Sequence, residues 1–373
     1  MTQKYEDAIR AAEVVLPGTD LDDTLRFFTE RLGFRVDSIH PADAPLVAVL
    51  SGHGLRIRLA GDEPEAAAAG AGTLRLRCRN PAALFSGQRE LTAPNGTRIV
   101  LVDEEAEVVL PPLQQSFVVS RLGDGAAFHL GRAGMRYRDL IPGRQGGRFI
   151  ASHIQIPHGG PVPDYVHFHK VRFQMIYCYR GWVRLCYEDQ GPPFVLKAGD
   201  CVLQPPQIRH RVLESSPGLE VLEIGCPAEH ETCADHELQL PTATLAPQRD
   251  FGGQRFVRHE AAGALWRPWR LAGFEYRDFG IAAATGGLAG VGAVRPHGAT
   301  SGPRCQHAAE FVFLFVLSGG MTVQADGQPE QRLTAGDCCV IPAGLGHALG
   351  DCSPDLELLE ATLPAAFTTA PAT

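Results

Sequence analysis

The chain has 373 residues, is 45% hydrophobic and 20% charged, and carries a formal net charge of -8 at neutral pH. It is therefore too long for a single hydrophobic core, and its negative charge argues against a nucleic-acid partner. No uncharged apolar run reaches membrane-spanning length, and the first residues do not follow the basic-then-apolar pattern of an export signal, so we expect no membrane partner. The ten cysteines form no CxxC pair, which is typical of reduced thiols in the cytoplasm.

Residues 11–36 follow a strand–helix–strand pattern. Apolar residues recur at helical spacing up to Gly33, a helix stop signal, at Leu21, Leu25, Phe28 and Leu32. Three more apolar runs follow at 34–39, 46–50 and 55–59, separated by turns that contain Pro or Gly. Together with a first strand at 13–16, these runs predict a βαβββ order.

This order and the motif LPGTDLDDTLRFFTERLGFRV, at 16–36, resemble the vicinal-oxygen-chelate (glyoxalase-like) family. The resemblance implies a second module, for which the runs at 73–78 and 97–102 supply strands, with the helix between them shortened to NPAALFSG. In the family, metal ligands lie on the first and last strands of each module. Glu13 occupies one such place, whereas Val100 stands at another. We therefore expect residues 1–110 to form a small α+β domain that binds no metal and has a structural or regulatory role.

From about residue 115 the sequence repeats itself. GMRYRDL at 134–140 recurs 139 residues later as GFEYRDF at 273–279, and AGDC at 198–201 recurs 137 residues later at 335–338. The segments LEVLEIGCPA, at 219–228, and LELLEATLPA, at 356–365, also correspond. Each copy consists of short alternating apolar runs broken by Gly and Pro. The repeat therefore predicts two antiparallel β sandwiches or barrels, joined by a connection at 229–265.

The densest candidate chemistry lies in the first copy, in GGPVPDYVHFHKVRFQMIYCYRG at 159–181. His167 and His169 stand two residues apart, so on a strand their imidazoles point to the same face. Gln174 follows, and His210 ends the later segment GDCVLQPPQIRH. Neutral imidazoles that converge on one face are common metal ligands, so we expect the three histidines to bind a metal. His230 has no partner by spacing and receives no role.

These residues resemble the two cupin motifs, in which Gly, HxH, an acid or amide, and Gly are followed later by Gly-Asp, Pro and a final His. The matching positions are Gly160, His167, His169, Gln174 and Gly181, then Gly199, Asp200, Pro205 and His210. The resemblance implies a bicupin over roughly 115–370, with one barrel at 111–245 and the other at 246–373, and with the ligands pointing into the barrel. We therefore predict a mainly β protein in which two tandem cupin β-barrels follow the glyoxalase-like domain.

The first copy departs from the usual cupin pattern at Gln174, where the family most often has Glu. An amide leaves the full charge on a divalent ion, which favours direct binding of a small anionic substrate. Fe(II) is the favoured metal, with Zn, Ni, Mn and Cu as alternatives. By strand parity Tyr165 lines the barrel mouth and is a candidate for proton transfer. Arg172 has the parity of Gln174 and is a candidate to hold a substrate carboxylate.

The second copy is altered at the ligand positions. In the order of the motif it has Cys305, His307, Val312 and His347, and Glu310 lies two residues before Val312. Strand parity could turn Glu310 inward as a substitute ligand, and a thiolate with two imidazoles is a reasonable zinc set. The alternative, which we favour, is a site that has lost its metal and is retained for packing, with Cys305 as a buried thiol.

Three functions are compatible with these patterns. The cupin resemblance implies a metal-dependent enzyme that acts on a small oxygenated, anionic metabolite, foremost a dioxygenase-type oxidoreductase. The first alternative is a non-redox isomerase, lyase or decarboxylase, in which the metal acts as a Lewis acid. The second alternative is a ligand-binding or sensing protein without turnover. Because shortened glyoxalase-like modules often complete a sheet with a partner, we also expect a homodimer.

Overall fold

The structure is a computed structural model that describes residues 13–40, 46–60, 71–103, 108–123, 127–130, 134–298 and 300–372. It is mainly β, as predicted, and it divides into two compact units, 1–107 and 108–373. No helix in these described ranges is both long and apolar enough to span a membrane.

The first half of the unit 1–107 has the predicted βαβββ order. Its helix is α-helical over Leu21–Arg26 and continues as a π-helical turn over Phe27–Arg31. The helix packs Phe27 and Phe28 into a core that also contains Ile57 of the sheet. The sheet order is β1-β4-β3-β2, with β1 parallel to β4 and the other pairs antiparallel. Its strands are β1 (Val14–Pro17), β2 (Arg35–His40), β3 (Val47–Gly52) and β4 (Leu55–Ala60).

The second half of this unit is a smaller, three-stranded sheet with the order β5-β7-β6. Its strands are β5 (Thr73–Cys78), β6 (Glu90–Thr92) and β7 (Arg98–Asp103), and β5 runs parallel to β7. The segment between β5 and β6 forms two single 3-10 turns, Pro81–Ala83 and Phe85–Gly87. The helix that the sequence showed as shortened is therefore reduced to these two turns.

The first repeat copy contributes the strands that build the first barrel as two facing sheets. The copy carries β8 (Val118–Ser120), β9 (His129–Leu130), β10 (Arg136–Asp139), β11 (Ile150–Ile156), β12 (Gly160–Pro161), β13 (His167–His169), β14 (Phe173–Arg180), β15 (Trp182–Tyr187), β16 (Phe194–Lys197), β17 (Cys201–Leu203), β18 (His210–Ser215), β19 (Leu219–Cys226) and β20 (Thr232–Ala234), with a helical turn at Arg144–Gly147. The sheet orders are β21-β17-β14-β19-β11-β10-β9 and β16-β15-β18-β13-β20. Here β21 (Val257–His259) comes from the second copy.

The second barrel repeats this arrangement. After β21, its copy carries β22 (Arg267–Pro268), β23 (Phe274–Asp278), β24 (Gly290–Pro296), β25 (Cys305–His307), β26 (Phe311–Ser318), β27 (Gly320–Ala325), β28 (Gln331–Thr334), β29 (Cys338–Val340), β30 (His347–Gly350), β31 (Glu357–Leu363) and β32 (Thr369–Pro371), with a helical turn at Ile281–Ala284. Its sheet orders are β22-β23-β24-β31-β26-β29-β8 and β28-β27-β30-β25-β32. The repeat in the sequence is thus a repeat in the structure.

Each barrel takes one edge strand from the other repeat copy. Strand β8 precedes the first barrel in the chain but pairs antiparallel with β29 of the second, and β21 pairs antiparallel with β17 of the first. Strand β20 also pairs with β13 of the first barrel. The stretch 229–265 is therefore more than the connection that the sequence suggested, because two of its strands complete the first barrel.

A single hydrophobic core runs from one barrel into the other. Phe173 and Met175 of β14 belong to it together with Phe313 of β26, and Phe149 stacks on Phe311 with ring centroids 4.2 Å apart. Each barrel also has its own cluster of buried apolar side chains. Because the shared face is buried only when both copies are folded, we infer that residues 108–373 fold as one cooperative unit.

Candidate metal centre

The three histidines predicted as metal ligands come together inside the first barrel. Strand β13 carries His167 and His169, β18 begins with His210, and the two strands pair with His167 opposite His210. One nitrogen from each ring lies within 4.8 Å of the other two, and the ring centroids of His167 and His210 are 4.3 Å apart. Strand pairing therefore gathers the three imidazoles that the motif spacing singled out.

Backbone carbonyls orient two of these rings. Nδ1 of His167 donates to the carbonyl oxygen of Tyr165 at 2.8 Å, and Nδ1 of His210 donates to the carbonyl oxygen of Ile208 at 3.0 Å. A carbonyl can only accept, so the ring proton lies on Nδ1 and the lone pair lies on Nε2. Such partners commonly fix the tautomer and direction of histidine ligands in metalloproteins. Both rings are thus prepared to offer Nε2 to a cation.

The third ring is positioned by residues from the predicted connection. The hydroxyl of Thr232 lies 3.0 Å from Nδ1 of His169, and the ring centroid of His230 lies 5.3 Å from that of His169. Both residues also line the barrel cavity. Sequence analysis gave neither a role, because the pairing of β20 with β13 that brings them here leaves no mark in the motif spacing.

The histidines line a cavity of about 420 Å³ in the first barrel. Its polar side chains include Gln174, Gln204 and Glu223 beside the histidines. Most of the remaining wall is apolar and consists of Met135, Ile150, Ile154, Ile156, Ile176, Val183, Leu185, Val212, Leu219 and Val221. A cavity of this size, largely apolar with a few converging polar groups, is typical of a site for a small organic ligand.

Gln174 lines this cavity, is 1% exposed, and is paired with a residue that the sequence analysis missed. Its Nε2 donates to Oε1 of Glu223 at 2.5 Å. Glu223 is the only carboxylate among the described residues that line the cavity. Strand parity could have found it, since Leu219, Val221 and Glu223 alternate along β19 and all three line the cavity.

Glu223 changes the expected charge of the centre. The sequence suggested that an amide at position 174 would leave a metal ion without a neighbouring negative charge. Instead, a carboxylate lies on the adjacent strand and is joined to that amide by a hydrogen bond. Because an ionised carboxylate can only accept, it also directs the NH₂ group of Gln174 toward itself and fixes the orientation of the amide.

Two tyrosines, Tyr137 and Tyr187, line the cavity wall. Tyr187 is 1% exposed, its ring stacks on His210 at a centroid distance of 5.4 Å, and burial raises the pKa of its hydroxyl. Tyr165 is 41% exposed and does not belong to the described lining of the cavity. It lies two residues before β13 begins, so the alternation of side chains along that strand does not extend to it.

Arg172 and Glu310 pair with each other across the two barrels. Nη1 of Arg172 lies 3.2 Å from Oε1 of Glu310, and Nε of Arg148 lies 2.8 Å from the same oxygen. Each of the two residues stands one position before its strand, β14 or β26, so parity misplaced both of them. This ion pair corrects two predictions: the substrate contact at Arg172 and the substitute ligand at Glu310.

The repeat explains why these two charges meet. Arg172 and Glu310 are equivalent residues, 138 positions apart, and equivalent residues of two related copies face each other near the axis that relates them. In a dimer of identical chains they would carry the same charge and repel. A single chain that carries both copies can place opposite charges at these equivalent positions, as Arg172 and Glu310 do.

The ligand positions of the second barrel are engaged by the protein itself. Nε2 of His307 donates to the carbonyl oxygen of Ile341 at 3.1 Å, and its Nδ1 accepts from the amide of Ala309 at 3.1 Å, so both nitrogens are occupied. Sγ of Cys305 lies 3.6 Å from Nε2 of His347, and burial raises the pKa of the thiol, which disfavours the thiolate that zinc requires. This arrangement supports the packing interpretation of the second copy.

The second barrel keeps the interior carboxylate but gives it a different partner. Glu360 occupies the position of Glu223, 137 residues later, and is 3% exposed. Its carboxylate lies 2.5 Å from Nη1 of Arg270 and accepts a hydrogen bond from Nε1 of Trp269 at 3.1 Å. The guanidinium of Arg270 lies over the Trp269 ring at 4.1 Å. A protein cation therefore neutralises this position in the second barrel.

Because His307 is buried, we expect the protein to lose stability in mild acid. Burial, aided by repulsion from His347, lowers the pKa of His307 to about 4 in the folded protein. As the pH falls, the unfolded chain therefore takes up a proton at this histidine before the folded protein does. The stability that neutral His307 contributes is fully present above the unfolded pKa of about 6.5 and is lost as the pH falls toward 4. We expect the free energy of unfolding to fall by on the order of 2 kcal/mol between pH 7 and pH 5 from this group.

Urea unfolding of the unit 108–373 at pH 7 and pH 5 measures this effect. The variant His307→Asn retains hydrogen-bonding groups but cannot titrate in this range, so its pH dependence should be smaller by that amount. Other buried histidines with a lowered pKa, such as His153 and His259, leave a residual dependence in both proteins. An equal pH dependence in wild type and variant would contradict the prediction.

The chain is similar to one known domain family and to several solved structures. Residues 293–358, in the second barrel, match the cupin domain family Cupin_2. Salicylate 1,2-dioxygenase from Pseudoaminobacter salicylatoxidans, solved with gentisate, has a TM-score of 0.51 and 15% identity over 70% of this chain and 86% of that chain. A mutant of that enzyme has a TM-score of 0.51 and 16% identity over 70% of this chain and 90% of that chain. A mutant oxalate decarboxylase from Bacillus subtilis has a TM-score of 0.49 and 13% identity over 71% of this chain and 80% of that chain. A search of curated protein sequences found no match.

The chain is therefore similar to a cupin domain over 293–358, and its fold of two barrels in tandem is similar to that of salicylate 1,2-dioxygenase. The family match lies in the second barrel, which is the copy whose ligand positions are altered. The matched stretch contains turn glycines such as Gly319 and Gly336, whose φ angles of 67° and 94° other residues rarely adopt. The three converging histidines lie in the first copy, outside the matched stretch.

Proposed function

We propose that this protein is a metal-dependent oxidoreductase, of dioxygenase type, with its active centre in the first barrel. The observation that carries the proposal is the convergence of three oriented imidazoles beside the Gln174–Glu223 pair, in the wall of a largely apolar cavity. The described residues of the second barrel offer no equivalent group of three ligands. One active centre per chain is therefore proposed.

The donor set fits a divalent transition metal. His167, His169 and His210 would hold the ion, with the side-chain amide oxygen of Gln174 as a fourth donor. Three neutral imidazoles with an open position suit iron, and also zinc, nickel, manganese or copper, and we favour Fe(II). When bound, such an ion would polarise oxygen atoms of the substrate and supply redox chemistry.

The cavity favours a substrate with an oxyanion at one end and an apolar body. The polar groups converge at the histidines, whereas the apolar wall can cover a ring or a hydrocarbon chain. A very small polar anion such as oxalate has no apolar surface to match this wall. The dioxygenase that shares the fold was solved with gentisate, an aromatic acid that has such a body.

The protein's own side chains would orient this substrate and donate hydrogen bonds to it. Glu223 holds the amide of Gln174 in one orientation, and His230 and Gln204 offer further polar contacts along the wall. Tyr187 lines the cavity beside Tyr137, and its ring lies against His210. Its raised pKa keeps the hydroxyl protonated, and therefore a donor, at neutral pH.

Metal analysis combined with oxygen uptake tests the function. We expect about one iron per chain in the purified protein, and oxygen consumption with an aromatic hydroxy acid such as gentisate. The same protein loaded with zinc should be inactive. Activity that needs no oxygen and survives with zinc or nickel would instead support an isomerase, lyase or decarboxylase. A protein that carries no metal after reconstitution would overturn the proposal in favour of a ligand-binding role.

We further propose that residues 1–110 form the glyoxalase-like domain, with barrels at 111–245 and 246–373, in a cytoplasmic homodimer. The mixed sheet β1-β4-β3-β2 and the parallel pairing of β1 with β4 support the first module. Glu13, at a family ligand position, is engaged in an ion pair with Arg56 at 2.6 Å, and Val100 of β7 has no ligating atom. Light scattering of the full chain would test the dimer.

A further inference from the structure

The unit 1–107 contains a second cavity, of about 690 Å³, which we call the arginine cavity. The end of the helix, the turn between β3 and β4, strand β5 and the two 3-10 turns enclose it. Its polar lining includes four arginines and one histidine, and its apolar lining includes two aliphatic side chains on β5 and β7. The full lining is Arg31, Leu32, His53, Arg75, Leu76, Arg77, Cys78, Arg79, Asn80, Ala83, Leu84, Phe85 and Leu101.

The arginine cavity does not coincide with the metal positions of the resembling family. Glu13 and Val100, which stand at those positions, are not part of its lining. The cavity also contains no carboxylate among the described lining residues. In a chain whose net charge is -8, a cavity lined by four guanidiniums and no acid is a local reversal of charge.

The guanidiniums of the arginine cavity differ from most others in this unit. Arg31, Arg75 and Arg79 form no ion pair within the described ranges 13–40, 46–60 and 71–103. Other arginines of the unit do form ion pairs, namely Arg26 with Asp23, Arg35 with Asp37, Arg56 with Glu13, and Arg98 with Glu90. Three of the four cavity arginines therefore carry charges that no described carboxylate offsets, whereas Arg77 has an interaction partner within the protein.

Strand geometry gives two of these cations a common direction. Arg75 and Arg77 are two residues apart on β5 and so point to the same side of the strand, and Arg79, one position beyond the end of β5, also lines the cavity. Arg31 comes from the opposite wall, where its guanidinium lies 5.3 Å from the Phe27 ring centroid and 5.5 Å from that of Phe85. Contact with two rings restricts this guanidinium before any ligand arrives.

Backbone strain also concentrates at the wall of the cavity. His53 and Phe85, both lining residues, have φ angles of 52° and 47°, and Ser86 next to Phe85 has 56°. Left-handed backbone in residues other than glycine is uncommon and is retained where the surrounding structure enforces it, often at ligand sites. His53 is further fixed by a hydrogen bond from Nε2 to the carbonyl oxygen of Leu32 at 2.6 Å.

We propose that the arginine cavity binds a small organic anion, with a carboxylate or phosphate group on an apolar body. The planar guanidinium fork matches both oxyanions through paired hydrogen bonds. Leu32, Leu84 and Phe85 provide the apolar surface for the body of the ligand. The site is independent of the metal centre, and it gives the N-terminal unit a ligand-sensing role of its own.

Calorimetric titration of the full chain with benzoate and with phenyl phosphate tests this proposal and separates the two headgroups. We expect the variant Arg75→Gln/Arg79→Gln to weaken binding at this site by at least about tenfold, because charge-assisted hydrogen bonds are lost. The variant Arg98→Gln is the matched control. Arg98 lies in the same sheet and pairs with Glu90 outside the lining, so its affinity should stay within about twofold of wild type.

His167→Ala distinguishes this site from the first barrel, since it should leave the Arg75- and Arg79-dependent binding intact. Arg75 and Arg79 are exposed, so we expect each variant to keep the wild-type melting temperature, and this measurement shows that the variant is folded. The proposal is overturned if neither probe binds at this site, if Arg75→Gln/Arg79→Gln binds as well as Arg98→Gln, or if neutral benzyl alcohol binds as tightly as benzoate. Binding that weakens with added salt supports it, because salt screens exposed charges.

Discussion

Replacing His167 with alanine is expected to remove the metal from the protein and to abolish turnover. His167 is 1% exposed, faces His210 across paired strands, and has its tautomer set by a backbone carbonyl. Two imidazoles remain in the variant, and they cannot hold a divalent ion as three do. Elemental analysis should therefore fall from about one ion per chain to nearly none.

Chelation gives an independent measure of the same site. A ligand that binds only the folded state at about 100 to 1,000 times its Kd contributes roughly 3 to 4 kcal/mol of stability. Removing the metal from the wild type should therefore lower its Tm by roughly 5 to 10 °C, whereas the His167→Ala variant should not respond. Cys305→Ala, at the equivalent position of the second barrel, is the control and should keep the wild-type metal content. Equal Tm shifts in wild type and His167→Ala would show that the metal is bound elsewhere.

Glu223→Gln is expected to reduce metal affinity by about tenfold or more, although position 223 is not part of the cupin motif. The substitution removes the negative charge beside the histidines and replaces a carboxylate that can only accept with an amide that can also donate, so the orientation of Gln174 is no longer fixed. The exchange Gln174→Glu/Glu223→Gln returns the carboxylate to the motif strand and keeps a hydrogen bond between the two residues. It should restore the affinity to within about threefold of wild type.

The matched control for this exchange lies in the second barrel. Glu360→Gln alters the equivalent carboxylate, which pairs with Arg270 rather than with an amide. This variant should keep the metal affinity and lose stability, because a partly buried guanidinium loses its counter-charge. Metal titration and thermal unfolding should be measured for the wild type, Glu223→Gln, Gln174→Glu/Glu223→Gln and Glu360→Gln. Together they separate a loss of metal affinity from a loss of stability. Unchanged metal affinity in Glu223→Gln would show that Glu223 does not contribute to metal binding and would leave Gln174 as the only candidate for a fourth contact.

Periodicity within a strand placed side chains on the expected face, whereas periodicity extended beyond a strand misplaced them. His167 and His169 lie inside β13, and their side chains share a face as expected. Tyr165, Arg172 and Glu310 lie one or two residues outside the strands whose parity was applied to them. Alternation is a property of paired, extended backbone, so it gives no direction to residues in the adjoining loops.

The residues missed by sequence analysis came from strands that are distant along the chain. Glu223 meets Gln174 because β19 pairs with β14, and Thr232 meets His169 because β20 pairs with β13. Neither pairing belongs to the local HxH pattern. The repeat did contain a signal for Glu223, since both copies keep a glutamate at this place in their last strand, at 223 and at 360.

The sequence by itself determined the mainly β class, the tandem repeat and the identity of the three converging histidines. These features depend on short-range alternation and on recurring spacings, both of which a linear chain records directly. The tertiary structure alone decided where the carboxylate of the centre lies, that each barrel borrows a strand from the other copy, and that Arg172 and Glu310 neutralise each other. These features arise when backbones far apart in the chain pair through hydrogen bonds, and that pairing is set by the packing of the whole molecule rather than by neighbouring residues.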